Sequence, residues 1–159
     1  MSRSIRRIRR VEEAAAGLDL SIEVRRFPEG TKTALDAARA VGCEVGQIVK
    51  SLVFVADGDA ILALTSGANR ADEIRLASLV GAATVRRANA DEAREATGFA
   101  IGGTPPFGHP RPLRVFVDRD LLGYPEVWAA AGTPDAVFSL TPDDLVRVSA
   151  GQPADFAER

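Results

Sequence analysis

The 159-residue sequence contains only one cysteine, Cys43, and one histidine, His109. A single cysteine cannot form a disulfide within the chain, and one histidine with one cysteine cannot supply the usual nitrogen and sulfur ligands of a closed zinc site. His109 lies between Gly108 and Pro110, and the sequence has no GxSxG motif, so it offers no serine triad. We therefore expect neither a metal ion nor another cofactor.

The sequence also lacks the common glycine motifs that bind phosphates, GxGxxG after a strand and GxxxxGK[ST], so dinucleotide and P-loop nucleotide binding are not expected. No apolar run approaches the roughly 20 residues of a membrane helix, and no signal-peptide apolar region follows the N-terminal arginines. The net charge of −2 gives no overall signature of nucleic-acid binding, so contact with a polyanion would need a local patch. We predict a soluble, cytoplasmic protein without membrane contact.

The chain nevertheless has enough apolar residues, 46% of the total, to build the core of one domain. Short strand patterns and short helix patterns interleave without repeats, linkers or low-complexity tracts. The sequence therefore predicts a single compact domain over residues 1–159, of the α/β class in its mixed α+β form. We expect a curved, mixed central sheet surrounded by short helices.

Apolar residues recur every three or four positions over residues 3–18, which predicts an arginine-rich helix within residues 1–20. Its other face carries five arginines, of which Arg6, Arg7 and Arg10 are candidates for contact with RNA phosphates. A solvated surface helix is the commoner explanation of such a run, so both interpretations stay open.

The other elements are predicted from local signals. Residues 47–56, the Asp57-Gly58 turn and residues 60–65 have the pattern of a β-hairpin. Helices are predicted after the capping residues Thr33, Asn89 and Thr141, and over residues 70–80. Further strands are predicted over residues 21–27, 83–87, 113–117, 124–128 and 136–140. Residues 151–159 are predicted to form a frayed tail.

Lys50 stands in the otherwise apolar first strand of the hairpin. Lysine is almost never fully buried unless it is paired. Its side chain therefore either extends to solvent from a sheet edge or directs its ammonium group into a pocket that receives negative charge. The strand alone supports the two interpretations about equally.

Residues 97–109 (TGFAIGGTPPFGH) form a segment rich in glycine and proline, which we call the glycine-proline segment. Glycine permits positive φ and close approach of the backbone, while proline fixes φ. A tight connection is the commoner reason for such a composition, and a ligand bound by backbone amides is the functional alternative. With Lys50 and the hydroxyls of Thr65 and Ser66, these amides could stabilise an oxyanion and position a substrate or a water molecule.

Several parts of the sequence match one known pattern. They are Thr33-Ala34, the VKSL sequence at 49–52, the GGTPPFG sequence at 102–108, and Ala131-Gly132 with the final AVFSLTPDDLVRV unit. In these features the chain resembles the YbaK/EbsC-like aminoacyl-tRNA editing proteins, free-standing relatives of the editing insertion domain of bacterial prolyl-tRNA synthetases. The resemblance runs from Phe27 to Val148, and the VKSL strand together with GGxxPFG is much more specific than either alone.

The resemblance implies a metal-independent deacylase that hydrolyses the ester between a wrongly attached amino acid and the 3′-terminal ribose of a tRNA. The implied partner is a mischarged aminoacyl-tRNA, first of all tRNA-Pro carrying Ala, Cys, Ser, Thr or a small non-protein amino acid, with a synthetase as a second candidate. Two alternatives remain open. One is a non-catalytic module that binds tRNA ends or a synthetase, and the other is a small-molecule-binding protein.

The resemblance also implies site residues. Catalytic roles are implied for Lys50, Gly102 and Gly103. It implies substrate contacts for Thr33, Ser51, Thr104, Pro106, Phe107 and Gly108. Apart from the resemblance, the polar side chains of Thr65, Ser66 and His109 are further candidates for substrate contact. For these three, structural roles are equally well supported: a strand-end hydroxyl for Thr65, a turn cap for Ser66 and a solvent-exposed loop position for His109.

Overall fold

The computed structural model describes residues 2–27 and 33–159. Within these ranges the chain forms five α-helices and eight β-strands. The helices are α1 (Arg3–Gly17), α2 (Ala34–Val41), α3 (Glu73–Val80), α4 (Ala90–Thr97) and α5 (Pro142–Ser149). The strands are β1 (Arg25–Arg26), β2 (Val49–Ala56), β3 (Asp59–Ser66), β4 (Val85–Arg87), β5 (Arg114–Asp118), β6 (Val127–Ala130), β7 (Ala136–Leu140) and β8 (Gln152–Ala154).

The strands lie in two sheets. The larger sheet has the order β4-β2-β3-β5-β8, in which β3, β5 and β8 are parallel and the other pairs are antiparallel. The smaller sheet, β1-β7-β6, is antiparallel. An isolated parallel bridge between Ile48 and Trp128 connects the sheets. The predicted mixed α/β class is confirmed, although the strands divide between two sheets and do not form one central sheet.

The larger sheet is buried on both faces, because its strands alternate between two apolar clusters. Leu62, Leu64 and Val117 join the cluster that also contains the apolar face of α1. Phe54 and Phe116 point to the opposite face, where α3 and the C-terminal segment cover them. Strands that are buried on both faces read as nearly continuous apolar runs, as β2 and β3 do.

Local signals set most element boundaries correctly. Thr33 is the N-cap of α2, and its hydroxyl accepts a hydrogen bond from Asp36 N at 3.1 Å. The Asp57-Gly58 turn has positive φ at both residues, which suits the twist of a two-residue hairpin. The third helix begins later than predicted, at Glu73, because the Asp72 carboxylate accepts from the N–H groups of Ile74 and Arg75. The predicted strand over residues 21–27 shortens to Arg25–Arg26.

The prediction of a frayed C-terminal tail is wrong. Strand β8 pairs in parallel with β5, and the side chains of Phe156 and Ala157 are fully buried. Asp72 N donates to Phe156 O at 2.7 Å, and Glu158 N donates to Arg70 O at 2.8 Å. The sequence QPADFA has weak strand propensity, so long-range pairing and one buried aromatic ring order this segment.

The first half of β2 is paired on one side only within the described chain. Strand β3 pairs with all eight residues of β2, whereas β4 pairs only with Phe54–Ala56. The other edge of residues 49–52 therefore faces β6 of the smaller sheet. A cavity opens along this unpaired stretch. None of the helices in the described ranges is long and apolar enough to cross a membrane.

Candidate active site

A cavity of about 270 Å³ lies between the first half of β2 and β6. Residues 48–52 form one wall and residues 128–130 form the opposite wall. The start of α2 and residues 101, 102 and 104 of the glycine-proline segment close the remaining sides. Of the predicted site residues, Thr33, Lys50, Ser51, Gly102 and Thr104 line this cavity.

Lys50 is half-buried at the edge of the cavity. Its Nζ donates a hydrogen bond to the backbone oxygen of Asn69, at 2.5 Å. Burial lowers the pKa of Lys50, the nearby Arg87 and Arg70 lower it further, and the Asp118 carboxylate opposes them. The Lys50 side chain therefore does not extend freely into solvent. The second interpretation from the sequence, in which the ammonium group points into a pocket that receives negative charge, stays a prediction.

A second, wider depression of about 620 Å³ lies on the other side of Lys50. It shares Lys50 and Leu52 with the cavity and extends to Arg70 and Arg87. Acidic side chains line it as well, and one of them, Glu158, lies 3.7 Å from the Arg70 guanidinium. The Arg87 guanidinium stacks over the Phe54 ring at 5.5 Å. The cavity and the depression thus meet at Lys50.

Ser51 presents an unsatisfied hydroxyl at the cavity wall. Among the buried side-chain nitrogen and oxygen atoms of residues 2–27 and 33–159, Ser51 Oγ alone has no hydrogen-bond partner. A buried polar atom without a partner costs about 1–3 kcal/mol, so the Ser51 hydroxyl is a candidate to hydrogen bond a ligand or a water molecule.

The first part of the glycine-proline segment places backbone groups at the cavity. Gly102 has φ +89° and lines the cavity, and its N–H donates no hydrogen bond within the described ranges. The Gly103 N–H, by contrast, donates a hydrogen bond to Ala100 O at 3.0 Å. A Cβ atom on Gly103 would lie 2.8 Å from Gly132 O. Gly103 therefore supports the loop from behind the cavity.

The second part of the segment turns away from the cavity. Phe107 is buried and packs edge-on against Phe138, with ring centroids 5.8 Å apart. At Gly108, which has φ +80°, a Cβ atom would lie 2.9 Å from Ala14 Cβ in α1. Pro106 is buried in the same stretch. These three residues fasten the loop to the core and to α1 and do not line the cavity.

His109 also braces this part of the loop. Its Nε2 lies 2.8 Å from Pro105 O, and because a carbonyl oxygen only accepts, Nε2 carries the proton. Burial lowers the pKa of His109, and the hydrogen bond to Pro105 opposes this shift. The ring is partly buried, so the solvent-exposed alternative from the sequence does not hold.

Thr65 and Ser66 are fully buried and lie outside the cavity wall. Thr65 is the cross-strand partner of Lys50, and its hydroxyl donates to Ala63 O at 3.2 Å. The Ser66 hydroxyl donates to Gly46 O at 2.7 Å and accepts from Ala68 N at 3.3 Å. Both hydroxyls have the structural roles that the sequence left open for them.

The arginines of α1 line neither the cavity nor the second depression. The Arg10 guanidinium stacks over the Phe99 ring at 4.5 Å, and its Nη1 donates to Gly98 O at 3.4 Å. Arg6 is exposed and Arg7 is partly buried. Helix α1 therefore contacts the start of the glycine-proline segment through Arg10.

Sequence reasoning missed a polar network next to Lys50. The Asn69 side-chain amide donates to Asp118 Oδ2 at 2.9 Å and to Asp120 Oδ2 at 2.8 Å. Asp118 is fully buried, and its position at the end of the apolar run LRVFVD was the available signal. Within the described chain, no group of three or more His, Cys, Asp or Glu side chains could hold a metal ion.

Comparison with known proteins gives consistent results. The sequence profile of the aminoacyl-tRNA editing domain matches residues 28–148. YwhH of Bacillus subtilis strain 168, an uncharacterized protein, is 28% identical over 127 residues, which cover 80% of this chain and 81% of YwhH. The proline–tRNA ligase of Desulforamulus reducens is 28% identical over 153 residues, which cover 87% of this chain. The match covers only 27% of that ligase.

Two solved structures share the whole fold. The crystal structure of a candidate trans-editing enzyme for prolyl-tRNA synthetase is 50% identical, with a TM-score of 0.91 and coverage of 100% of this chain and 99% of that one. The hypothetical protein APE2540 is 30% identical, with a TM-score of 0.86 and coverage of 94% and 99%. Because the family profile spans most of the sequence and the resemblance extends to the whole fold, the chain belongs to the aminoacyl-tRNA editing domain family.

Proposed function

We propose that this protein is a trans-acting deacylase that hydrolyses the ester of mischarged aminoacyl-tRNA, in the first place tRNA-Pro carrying a small noncognate amino acid. The observation that carries the proposal is the cavity, which is lined by Lys50, by Ser51 with its unpartnered hydroxyl, and by Gly102, whose N–H donates no hydrogen bond within the described ranges. Membership of the editing-domain family supports the reaction class, and the similarity to proline–tRNA ligase supports the choice of tRNA.

The three groups fit the demands of ester hydrolysis. A water molecule attacks the ester carbonyl, and negative charge develops on the carbonyl oxygen. The Gly102 N–H and the Lys50 ammonium group are the donors that would stabilise this charge. The carbon–oxygen bond to the ribose then breaks, and the proton released by the attacking group passes to the ribose oxygen. With water as the attacking group, the products are the free amino acid and a tRNA with an intact 3′ end.

An aminoacyl ester is already activated, so positioning and charge stabilisation can suffice without a protein nucleophile. The Ser51 hydroxyl would complete the site by hydrogen bonding to the attacking water or to the substrate ammonium group. In the proposed complex this bond satisfies the polar atom that lacks a partner in the free protein.

The size of the cavity suits a small aminoacyl group. Its volume is about 270 Å³, and its walls include the apolar side chains of Ile48, Trp128 and Val137. These apolar side chains would restrict the length of the amino acid that enters. Discrimination by one methylene group is worth about 1–3 kcal/mol, so we expect graded rates across small amino acids.

The second depression gives the polynucleotide a route out of the site, since it continues from Lys50 to Arg70 and Arg87. We expect Arg87→Ala to raise KM and to weaken its salt dependence, because one phosphate contact is lost. The matched control is Arg86→Ala, since Arg86 is committed to Glu92 at 2.8 Å. If the two substitutions have equal effects, the second depression is not the RNA route, and Arg6 and Arg7 become the candidates for phosphate contact.

Hydrolysis of a panel of tRNA-Pro esters tests the proposed function. The panel carries Ala, Cys, Ser, Thr and Pro, and release of the amino acid is followed with enzyme in excess. We expect rapid loss of one or two noncognate esters while the prolyl ester survives. If no ester is hydrolysed although the folded protein binds the tRNA, the protein is a binding module and the deacylase proposal fails.

A further inference from the structure

The acceptor of the Lys50 hydrogen bond belongs to a turn that is held from outside the cavity. Lys50 Nζ donates to the Asn69 backbone oxygen, so the position of that oxygen determines where the ammonium group rests. The Asn69 N–H donates to Ser66 O at 2.9 Å. The Asn69 side chain donates to two carboxylates, Asp118 and Asp120. Asn69 is thus fixed through both its backbone and its side chain.

The Asp118 carboxylate holds this turn in place. It is fully buried and uses both oxygens: Oδ2 accepts from Ser66 N at 3.0 Å and from Asn69 Nδ2, and Oδ1 accepts from Asp120 N at 3.0 Å. A buried carboxylate with several donors has little freedom to move without losing them.

Asp120 connects the turn to the C-terminal segment. The Arg159 guanidinium donates to both oxygens of Asp120, at 3.1 and 3.3 Å, and also to Asp155 at 3.0 Å. The buried Phe156 fastens this segment to the sheet. An unbroken set of contacts therefore runs from Arg159 through Asp120 and Asn69 to Lys50.

The fixed acceptor matters because of the charges around Lys50. From the neighbouring elements, Arg87 of β4, Arg70 after β3 and Asp118 of β5 act on its ammonium group. Two of these three groups carry the same charge as the ammonium group and repel it. The hydrogen bond to the Asn69 oxygen fixes the position of the ammonium group despite this repulsion.

We propose that Asn69 is a positioning residue for Lys50 and that Arg159, acting through Asp120, holds Asn69 in place. This inference rests on the proposed function in one respect: its effect on rate requires that Lys50 acts on the ester. Its effect on the Lys50 side chain requires only the contacts described above.

The first test uses the Lys50 side chain itself. The chain contains two lysines, Lys32 and Lys50, so protein labelled with 13C-lysine gives two side-chain signals. The Lys50 signal is identified as the one missing from Lys50→Arg. In folded Asn69→Ala we expect the Lys50 signal to move toward the position of a free lysine, to become narrower and to titrate at a different pH, while the Lys32 signal stays unchanged.

The second test uses the reaction. We expect Asn69→Ala to lower the single-turnover rate on the best ester by roughly tenfold to a hundredfold, the loss typical of a misplaced catalytic group, with a smaller change in KM. In the Lys50→Ala background the same substitution should cause no further loss, because residues that act as a unit are not additive.

Arg159 offers a variant at the surface, with Arg75 as its matched control. Both arginines pair with Asp155, at 3.0 and 3.3 Å, but only Arg159 also contacts Asp120. We expect Arg159→Ala to shift the Lys50 signal and to lower the rate several-fold, and Arg75→Ala to change neither. If Asn69→Ala does not fold, this pair of variants decides the question by the same measurements.

Two results would overturn the inference. One is an unchanged Lys50 signal in folded Asn69→Ala and in Arg159→Ala. The other is a further loss of rate when Asn69→Ala is added to Lys50→Ala, because that identifies a general structural role. If the wild type hydrolyses no ester but the Lys50 signal still shifts in both variants, the positioning contact is supported and the deacylase proposal alone fails.

Discussion

The two halves of the glycine-proline segment contact different parts of the molecule. Residues 101, 102 and 104 line the cavity, where the Gly102 N–H donates no hydrogen bond within the described chain. Residues 105–109 face the core and α1, where Phe107 is buried and the His109 ring is hydrogen bonded to Pro105 O. Backbone and polar groups left unpaired can bind a substrate, whereas groups that are paired within the protein hold the site together.

The same difference separates two serines in neighbouring strands. Ser66 in β3 donates to Gly46 O and accepts from Ala68 N. Ser51 in β2 lines the cavity with a hydroxyl that has no partner. Residue type alone therefore does not separate a binding group from a structural one. For these two serines, the hydrogen bonds of the hydroxyl group make the distinction.

Substitution of one glycine in each half gives the largest expected difference. Gly102 and Gly108 both have positive φ, so alanine at either position costs about 1–2 kcal/mol of stability. At Gly102 the new methyl group meets only ordinary contacts with Pro134 at 3.6 Å, but the strain moves the N–H that we propose binds the ester carbonyl. We expect Gly102→Ala to lower the rate by roughly tenfold or more.

Gly108→Ala is the matched control. Its methyl group would lie 2.9 Å from Ala14 Cβ, so overpacking adds about 1–3 kcal/mol to the loss of stability. The rate per folded molecule should stay near that of the wild type. Urea denaturation and single-turnover hydrolysis, measured on both variants, check the pair. A larger loss of rate in Gly108→Ala would break the division between the two halves.

Ser51→Ala should change stability and activity in opposite directions. Removal of a buried hydroxyl without a partner relieves an unsatisfied polar atom, so the free energy of unfolding should rise or stay unchanged, by up to about 1 kcal/mol. Hydrolysis should slow several-fold, because the hydroxyl no longer contacts substrate or water. Denaturation and kinetics on the same preparation test both signs, and Ser66→Ala should instead lose stability. Full activity in Ser51→Ala would remove this hydroxyl from the site.

The smallest expected effect is a pH dependence of stability caused by His109, which lies in the half of the glycine-proline segment that packs on the core and α1 (residues 105–109). Burial lowers the pKa of His109 in the folded state relative to its ordinary value of 6.5, so the unfolded chain takes up this proton first on acidification. Stability from the neutral ring is therefore complete above about pH 6.5 and declines as the pH falls below it. Unfolding free energies of wild type and His109→Gln between pH 5 and 7.5 should converge toward low pH. Parallel curves would contradict this.

Much of the fold could be predicted because its signals are local. Thr33, Asn89 and Thr141 begin helices, and Asp57-Gly58 forms the hairpin turn, as expected. The C-terminal segment could not be predicted, because its order comes from pairing with β5 and from the burial of Phe156. Neither contact leaves a periodic pattern in the sequence.

The sequence drew attention to a site residue where its polarity differs from that of its neighbours, as it does for Lys50 in an apolar strand. Trp128 and Pro134 of the cavity wall were not expected, since an apolar residue in a strand or turn gives no sign that it faces a cavity. The contact between Lys50 and Asn69 joins residues 19 positions apart. The Asn69 side chain is in turn hydrogen bonded to Asp118 in β5, a residue that only the folded chain brings near.

The most direct test of the proposed function is the single-turnover hydrolysis of alanyl-tRNA-Pro by wild type and by Lys50→Ala, with folding checked by thermal denaturation. We expect the wild type to remove alanine and Lys50→Ala to be slower by roughly 100-fold or more, the usual loss when one group that stabilises an oxyanion is removed. A folded Lys50→Ala protein that removes alanine at the wild-type rate would contradict the proposal, because the cavity at Lys50 would then not be the site of the reaction.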